Sequence, residues 1–405
     1  MKKAITILSI ILLFLSLLVL PVFDYLIDQD NLTVGSGPNV VIRAIVAIIM
    51  LCFPLIPERG HIKRCKSRIT TCVFFLVAYM AFITLLLSPA TTNPIYNLVQ
   101  VEYPLLGFLC FYYLTKYSFV DERIYSYFFL ILIPIIAVTA YLNLDSRMDS
   151  ETGLELADNT GYALVCAYAG IMFLAKKKTF PIVLFLVIVG VLISGKRGAI
   201  IAMLFATIPL LVYVFIDSKV KISKQLVFII LAAIGTFVAL RYFNSYFDAA
   251  FERFENLEED EGSGRGWVYL DYWNQFKDSR EIHQFFGHGL FAGSWSSGSK
   301  YAFTDVYAHN DWLELLFDFG IVSVMTYVII FLWMLIVIFL NIRNRTVYFY
   351  MLCMSFVIWL VKSILSSTFL MDANSVYLYM TTAFAMAKLE QERTGNKQTI
   401  SSKAV

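Results

Sequence analysis

The sequence predicts an all-α integral membrane protein with about twelve transmembrane helices and one large loop on the outer side. The chain has 405 residues, of which 59% are hydrophobic and 15% charged, with a mean hydropathy of +0.71. This composition excludes the soluble globular and disordered classes. Apolar runs recur along the chain at about the 20 residues that a helix needs to cross a bilayer. Basic residues concentrate in alternate connections, the pattern that keeps Lys and Arg on the inner side.

Each predicted span is an apolar run bounded by charged or turn-forming residues. The twelve spans are 4–23, 40–55, 69–87, 95–113, 124–142, 161–175, 181–192, 198–215, 226–240, 312–340, 347–365 and 374–387. The seventh and twelfth are short, so the count ranges from eleven to thirteen. No small-residue cleavage pattern follows Lys2 and Lys3, so we expect the first helix to be retained and both termini to lie on the inner, cytoplasmic side.

The spans divide the chain into four segments, one of which is a long outer loop. The segments are 1–241 with spans one to nine, 242–311 as the loop, 312–388 with spans ten to twelve, and 389–405 as an inner tail. Phenylalanines at helical spacing over 243–254 predict an amphipathic helix in the loop, and 267–276 predicts a second short helix. A long ordered loop in a compact protein is usually functional.

Six ionisable residues fall within spans or at their ends, where charge is costly and usually functional. The predicted topology places all six toward the outer ends, which indicates a shared polar cavity open to the outer side. They are Arg43, Glu102, Lys196, Arg197, Arg241 and Lys362. Snorkelling to lipid headgroups is the favoured explanation for Arg43, Arg241 and Lys362. Glu102 is expected to pair with one of the cations.

Lys196 and Arg197 lie between two glycines in a predicted outer hairpin between spans seven and eight. The donor fork of Arg and the point charge of Lys suit phosphate oxygens, and the following helix N-terminus favours an anion. Snorkelling of both cations is supported equally by their position. Arg265 opens the second loop helix, where on its own it reads as a solvated charge.

His309 immediately precedes the tenth span, where Asp311 and Glu314 predict a capping box. A neutral imidazole at this position would serve as a general base, with the helix N-terminus discouraging its protonation. The competing interpretation is a histidine that only hydrogen-bonds near the helix start. His283 and His288 are alternative bases nearby.

Four short motifs occur in a fixed order in the C-terminal half. They are Ser-Gly-Lys-Arg-Gly-Ala (194–199), Gly-Arg-Gly-Trp (264–267), Phe-Phe-Gly-His-Gly-Leu (285–290) and Ala-His-Asn-Asp-Trp-Leu-Glu-Leu-Leu-Phe-Asp-Phe-Gly (308–320). Each is degenerate, but their order, spacing and topology together resemble the O-antigen ligase/polymerase superfamily of bacterial envelope glycosyltransferases. The resemblance implies a GT-C-like multi-pass fold in the bacterial inner membrane, with the large loop in the periplasm.

The resemblance also implies the chemistry and its partners. The donor would be an undecaprenyl-pyrophosphate-linked glycan, and the acceptor would be lipid A–core or another lipid-linked glycan. Transfer would be metal-independent and would invert the anomeric carbon. Membrane lipids are expected partners, whereas a nucleic acid, a metal ion and any other cofactor are not expected.

The resemblance assigns roles to individual residues. Arg197 and Arg265 would hold the pyrophosphate, Lys196 would add a contact, and His309 would align with or deprotonate the acceptor hydroxyl. The supporting residues are Glu102, Arg241, Gly287, Gly289 and Asn310. The chain departs from the family pattern at Lys196, a position more often small and polar. It also departs after Arg265, where Tyr269 supplies the usual aromatic but Trp267 stands closer.

Three functions follow in order of support. The first is an O-antigen ligase, and the second is a polymerase that joins lipid-linked repeat units. The third is a transporter of a lipid-linked solute, which predicts charges near mid-membrane and access from both faces. The outer clustering of the charges favours an enzyme.

Overall fold

The computed structural model describes residues 2–29, 38–55, 67–87, 94–148, 159–217, 265–294, 298–304, 307–368 and 373–403. These residues form thirteen α-helices and contain no β-strand. The helices are α1 (Lys2–Gln29), α2 (Pro38–Leu55), α3 (Arg68–Leu87), α4 (Pro94–Lys116), α5 (Glu122–Met148), α6 (Thr160–Tyr168), α7 (Phe180–Ser194), α8 (Arg197–Val212), α9 (Arg265–Asp278), α10 (Glu281–Phe286), α11 (Asp311–Asn341), α12 (Val347–Leu365) and α13 (Val376–Lys403).

Every predicted span except the ninth coincides with a helix or a short helical series. The ninth span and the amphipathic helix predicted over 243–254 lie outside the described residues. Within the described part, five helices are long and apolar enough to cross a membrane. They are Arg68–Leu87, Glu122–Asn143, Arg197–Ile216, Asp311–Asn341 and Val347–Leu365. The structure is thus that of an α-helical membrane protein, and the count of twelve stays a prediction.

The last helix lies in the centre of the bundle. Every side chain of α13 from residue 376 to 387 is buried, as expected for a helix that is apolar on all sides. It packs against α4, α12 and α6, and Tyr377 donates to the Leu17 carbonyl over 2.7 Å. Beyond the bundle α13 continues to Lys403, so most of the predicted inner tail is helical.

A kink in α11 binds the chain at the end of α10. From the predicted topology, we call the described residues between 265 and 309 the outer segment. Gly320 interrupts the helix with φ +72°, and a Cβ there would collide with the Phe285 carbonyl. Gly287, at φ +84°, would in turn collide with the Asp318 carbonyl. The N–H of Gly289 donates to that same carbonyl over 2.9 Å. Two glycines therefore allow backbone to meet backbone, which fixes α10 against the kink.

A small apolar cluster completes the attachment of the outer segment. Tyr272 and Phe276 of α9 pack with Phe317 of α11 and with two buried alanines, Ala292 and Ala308. The Tyr272 ring meets the Phe317 ring edge-on, with 5.6 Å between centroids. This cluster sets the direction of α9, the helix predicted over 267–276, and so sets the position of Arg265 at its first residue.

Candidate functional site at the junction of three helix ends

His309 lies on the connection into α11 in a strained conformation. Its φ is +50°, a left-handed value that costs a non-glycine residue about 1 kcal/mol or more. Its N–H donates to Glu314 Oε1 over 2.8 Å, and Glu314 is buried in the first turns of α11. The helix that follows His309 therefore holds the strained backbone in place.

Asn310 caps α11. Its Oδ1 accepts from the backbone N–H groups two and three residues further on, at 3.0 and 3.2 Å, which satisfies two of the four free donors at the helix start. The capping box predicted between Asp311 and Glu314 is wrong. Glu314 instead bonds to the connection before the cap, and Asp311 is bound elsewhere.

The C-terminal end of α12 is the second part of the junction. Arg265 Nη1 donates to the Leu365 carbonyl over 2.6 Å. Asn310 Nδ2 and the Tyr269 hydroxyl donate to the Ile364 carbonyl over 3.1 and 3.3 Å. The last carbonyls of a helix have no partner within it and carry partial negative charge, so a guanidinium is favoured there. The end of α12 thus holds α9 and the start of α11 together.

A buried polar network lies beneath this junction. Asp311 accepts from the Ser367 hydroxyl over 2.8 Å and from the backbone N–H and hydroxyl of Thr368. Lys362 is fully buried, donates to the Ser367 carbonyl and stands 5.0 Å from the Tyr162 ring centroid. The network ties the residues after α12 to the first residue of α11.

Two snorkelling predictions are corrected by burial. Lys362 has no exposed surface and Arg43 is only 9% exposed, so neither ammonium nor guanidinium reaches out to lipid headgroups. A buried charge is costly without hydrogen bonds or a counter-charge. Lys362 meets this need through the Ser367 carbonyl.

Three cations act electrostatically on the His309 imidazole. Burial, together with the smaller effects of the charges of Arg265, Lys196 and Lys362, lowers the pKa of His309 from 6.5 to about 4. The imidazole is therefore neutral at physiological pH, as the sequence predicted. The cause differs, however, because burial and cations act here rather than the helix N-terminus. We call these four residues the His309 cluster.

The turn between α7 and α8 is the third helix end at the site. Gly195 adopts φ +64° at the end of α7, and Arg197 begins α8 with Lys196 as its N-cap. A Cβ on Gly198 would stand 3.5 Å from the Leu365 Cβ, so this turn packs against the end of α12. Lys196 thereby joins the His309 cluster, and Arg197 lies half-buried next to it.

The remaining candidates lie elsewhere or have structural roles. Glu102 is buried in α4 and forms no ion pair among the described residues, which corrects the expectation that it pairs with a cation. Its Oε1 has no hydrogen-bond partner there. Gly287 and Gly289 bind the kink of α11. Arg241 lies outside the described residues.

The alternative bases, His283 and His288, are fully engaged in hydrogen bonds. His283 bonds to the Gly287 carbonyl and the Tyr301 hydroxyl at 3.0 and 3.2 Å. Both ring nitrogens of His288 also have partners, at 3.1 Å each, and burial lowers its pKa to about 4. By contrast, no hydrogen bond joins the His309 imidazole to another described residue, which leaves it able to meet a substrate.

The sequence did not predict the backbone groups of the site. The carbonyls of Ile364 and Leu365 have no sequence signature, although the end of an apolar run at Leu365 marks where free carbonyls must occur. Lys362 was recognised as an intramembrane charge, and its place beside His309 follows only from packing. Among the described residues, no group of three or more His, Cys, Asp or Glu side chains is arranged to hold a metal ion.

The helices and this site define an α-helical membrane protein with a neutral imidazole close to three cations. Residues 182–328 match a family model described as O-Antigen ligase. The chain therefore carries a region of the O-antigen ligase/polymerase superfamily, and the resemblance seen in the sequence is confirmed. The matched region contains Lys196, Arg197, Arg265 and His309. Comparison with curated proteins gave no match.

The family match supports a coarse function directly. It indicates a glycosyltransferase-like enzyme of the O-antigen ligase or polymerase kind, acting on lipid-linked glycans in a membrane.

Proposed function

We propose that this protein is an O-antigen ligase that transfers a polysaccharide from undecaprenyl pyrophosphate to lipid A–core at the periplasmic face of the inner membrane. The observation that carries the proposal is the neutral imidazole of His309 beside Arg265, Lys196 and Lys362. A base and an anion site lie together at one place, as transfer from a pyrophosphate-linked donor requires.

The reaction forms a bond between the acceptor oxygen and the anomeric carbon, and it breaks the bond from that carbon to the pyrophosphate oxygen. His309 accepts the proton of the acceptor hydroxyl. Arg265, Lys196 and Arg197 stabilise the charge on the departing pyrophosphate through charge-assisted hydrogen bonds. Attack opposite the leaving group inverts the anomeric carbon. Pyrophosphate is a good leaving group, so these residues suffice without a metal ion.

Arg265 is suited to holding pyrophosphate because, among the described residues, only its Nη1 donates a hydrogen bond. A guanidinium has five N–H groups in a planar fork, and the Leu365 carbonyl occupies Nη1. The helix end thus fixes the position of the guanidinium before substrate arrives. A preorganised cation loses little conformational freedom on binding, which supports a role in stabilising the transition state.

Deletion of the gene tests the proposal through the lipopolysaccharide pattern. A ligase deletion leaves bare core while lipid-linked polymer accumulates. Core capped with single units would instead identify a polymerase, and an unchanged ladder would refute both functions. Reintroduced His309→Ala should behave as the deletion. His61→Ala, at a histidine in a predicted inner connection outside the described residues, is the matched control and should restore the ladder.

A further inference from the structure

A cleft opens in the outer segment, with a lining that contains none of the four residues of the His309 cluster. Its volume is about 680 Å³. Its lining combines hydrogen-bonding, charged and aromatic side chains, chiefly Gln275, Asp278, Arg280, His283, Lys300 and Tyr301. We call it the His283 cleft. This volume lies in the range of small-ligand pockets, roughly 300–1,000 Å³, and the mainly polar lining suits a hydrophilic ligand.

One wall of the His283 cleft is a column of three parallel rings. Phe317 stacks on His288 with 4.3 Å between centroids, and His288 stacks on His283 with 4.5 Å. Tyr301 meets both imidazoles edge-on, at 5.2 and 4.6 Å. Because Phe317 and His288 are buried, the partly exposed His283 and Tyr301 present this wall to the cleft.

Hydrogen bonds lock the wall in one arrangement. A carbonyl only accepts, so Nδ1 of His283 must donate to Gly287, and Nδ1 of His288 must donate to Phe317. In neutral His283, Nε2 therefore accepts from the Tyr301 hydroxyl, 3.2 Å away. The Tyr301 oxygen retains acceptor capacity for a ligand hydroxyl. A surface fixed in this way loses little freedom when a ligand binds.

The charges around the cleft favour an anion. Arg280 and Lys300 line it together with a single carboxylate, Asp278. Neither cation forms an ion pair with a carboxylate in the described part of the chain. Lys300 contacts the face of Tyr301, with 4.9 Å from Nζ to the centroid. An Arg fork matches a carboxylate in two parallel hydrogen bonds, while Asp278 and Gln275 suit sugar hydroxyls.

The cleft residues at the end of α9 are too far from Arg265 to hold the same pyrophosphate. Arg265 is the first residue of α9 and Asp278 the last. At 1.5 Å per residue these two residues are about 20 Å apart along the helix. If the glycan extends along α9 from the sugar whose anomeric carbon reacts, a sugar unit further along the glycan would reach the cleft.

We propose that the His283 cleft is a subsite for a sugar unit that carries a carboxylate, within the glycan being transferred. The inference rests on the proposed glycan-transfer function and adds a substrate class to it. Arg280 and Lys300 bind the carboxylate, and the wall formed by His283 and Tyr301 receives the sugar ring. The cleft therefore selects acidic glycans.

Binding of small probes to the purified full chain tests this subsite. Methyl glucuronide is the probe, and methyl glucoside and glycerol 3-phosphate are the neutral-sugar and non-sugar-anion comparisons, measured by calorimetry or saturation-transfer NMR. We expect glucuronide to bind at least tenfold more tightly than either comparison. The double variant Arg280→Gln/Lys300→Gln should lose this binding by tenfold or more. Lys277→Gln removes an exposed cation of α9 that does not line the cleft and should change nothing.

Three results would overturn the subsite. One is equal affinity for glucuronide and glucoside, and another is an equal loss in Lys277→Gln and in the double variant. Displacement of glucuronide by an equal concentration of glycerol 3-phosphate would point instead to a lipid headgroup.

The subsite and the proposed function fail in different ways. His309→Ala should abolish transfer while glucuronide binding persists. A wild-type protein that transfers glycan without binding glucuronide would refute the subsite alone. A wild-type protein that binds glucuronide but transfers no glycan would refute the function while supporting the cleft as an acidic-sugar site.

Discussion

Lowering the pH tests the protonation state on which the proposed chemistry depends. Burial and three cations lower the pKa of His309 to about 4. At pH 5.5 an imidazole with this pKa is neutral in nearly all molecules, whereas one with the ordinary value of 6.5 is neutral in only about a tenth. Because a general base acts in its neutral form, transfer should persist at pH 5.5 and fall only as the pH approaches 4.

The assay is transfer from purified lipid-linked glycan between pH 4 and 8. The acid limb of kcat/KM reports the free enzyme, and the limb of kcat reports the substrate complex. Bound pyrophosphate offsets the positive charge of the His309 cluster and should raise the pKa of His309 in the substrate complex. We therefore expect the acid limb of kcat to lie at a higher pH than the acid limb of kcat/KM. A roughly tenfold fall of kcat/KM between pH 7.5 and 5.5, with an apparent pKa near 6.5, would refute a buried neutral His309 as the base.

Lys196→Met supplies the matched perturbation. Removing one of the three cations should raise the pKa of His309, so the acid limb should move upward. It should not reach 6.5, because burial is the largest cause of the lowered pKa. Lys277→Met removes an exposed cation of α9 and should leave the limb in place. Equal movement in both variants would mean that general surface charge, rather than the cluster, governs the profile.

Three further substitutions test the junction by thermal unfolding in detergent. Asn310→Asp keeps the cap acceptor but loses the donor to the Ile364 carbonyl, which should cost about 1–3 kcal/mol; an unchanged melting temperature would show that this bond does not hold the helices together. Gly320→Ala should cost about 2 kcal/mol or more, because φ is +72° and the Cβ would meet the Phe285 carbonyl, and a wild-type melting curve would contradict the close approach. Asp311→Asn places an amide N–H₂ against the hydroxyl and N–H groups that donate to Asp311, which should lower the free energy of unfolding by about 2–4 kcal/mol. An unchanged stability would mean that the buried network is dispensable.

The helices were predictable because lipid imposes a length and a polarity on each of them. The hairpin at Gly195 followed from two apolar runs separated by a glycine turn, and the structure has α7 and α8 at those positions. The end of α13 was harder to predict. Polar residues after position 388 end the apolar run, so the predicted membrane span ends there. However, Lys, Glu, Gln and Arg are good helix formers, and the helix continues to Lys403.

The site was only partly predictable because it joins residues from four distant parts of the chain. Motif spacing identified Lys196, Arg265 and His309, whose chemistry is carried by side chains. A lysine near a helix end usually snorkels, but Lys362 is buried, with its Nζ 5.0 Å from the centroid of the Tyr162 ring. That contact joins distant parts of the chain and has no sequence pattern. The contact from Arg265 to Leu365 involves a backbone carbonyl, which no side-chain pattern reveals.

The end of α12 explains how three cations remain together beside a neutral histidine. Their mutual repulsion in a partly buried site is reduced by negative charge placed close to them. The carbonyls of Ile364 and Leu365 supply partial negative charge at the helix terminus, and Asp311 adds its charge beneath Lys362. A helix end is a weaker partner than a carboxylate, so it holds Arg265 in position without occupying its whole donor fork. The same fork therefore remains available to a pyrophosphate, which a bidentate ion pair would have excluded.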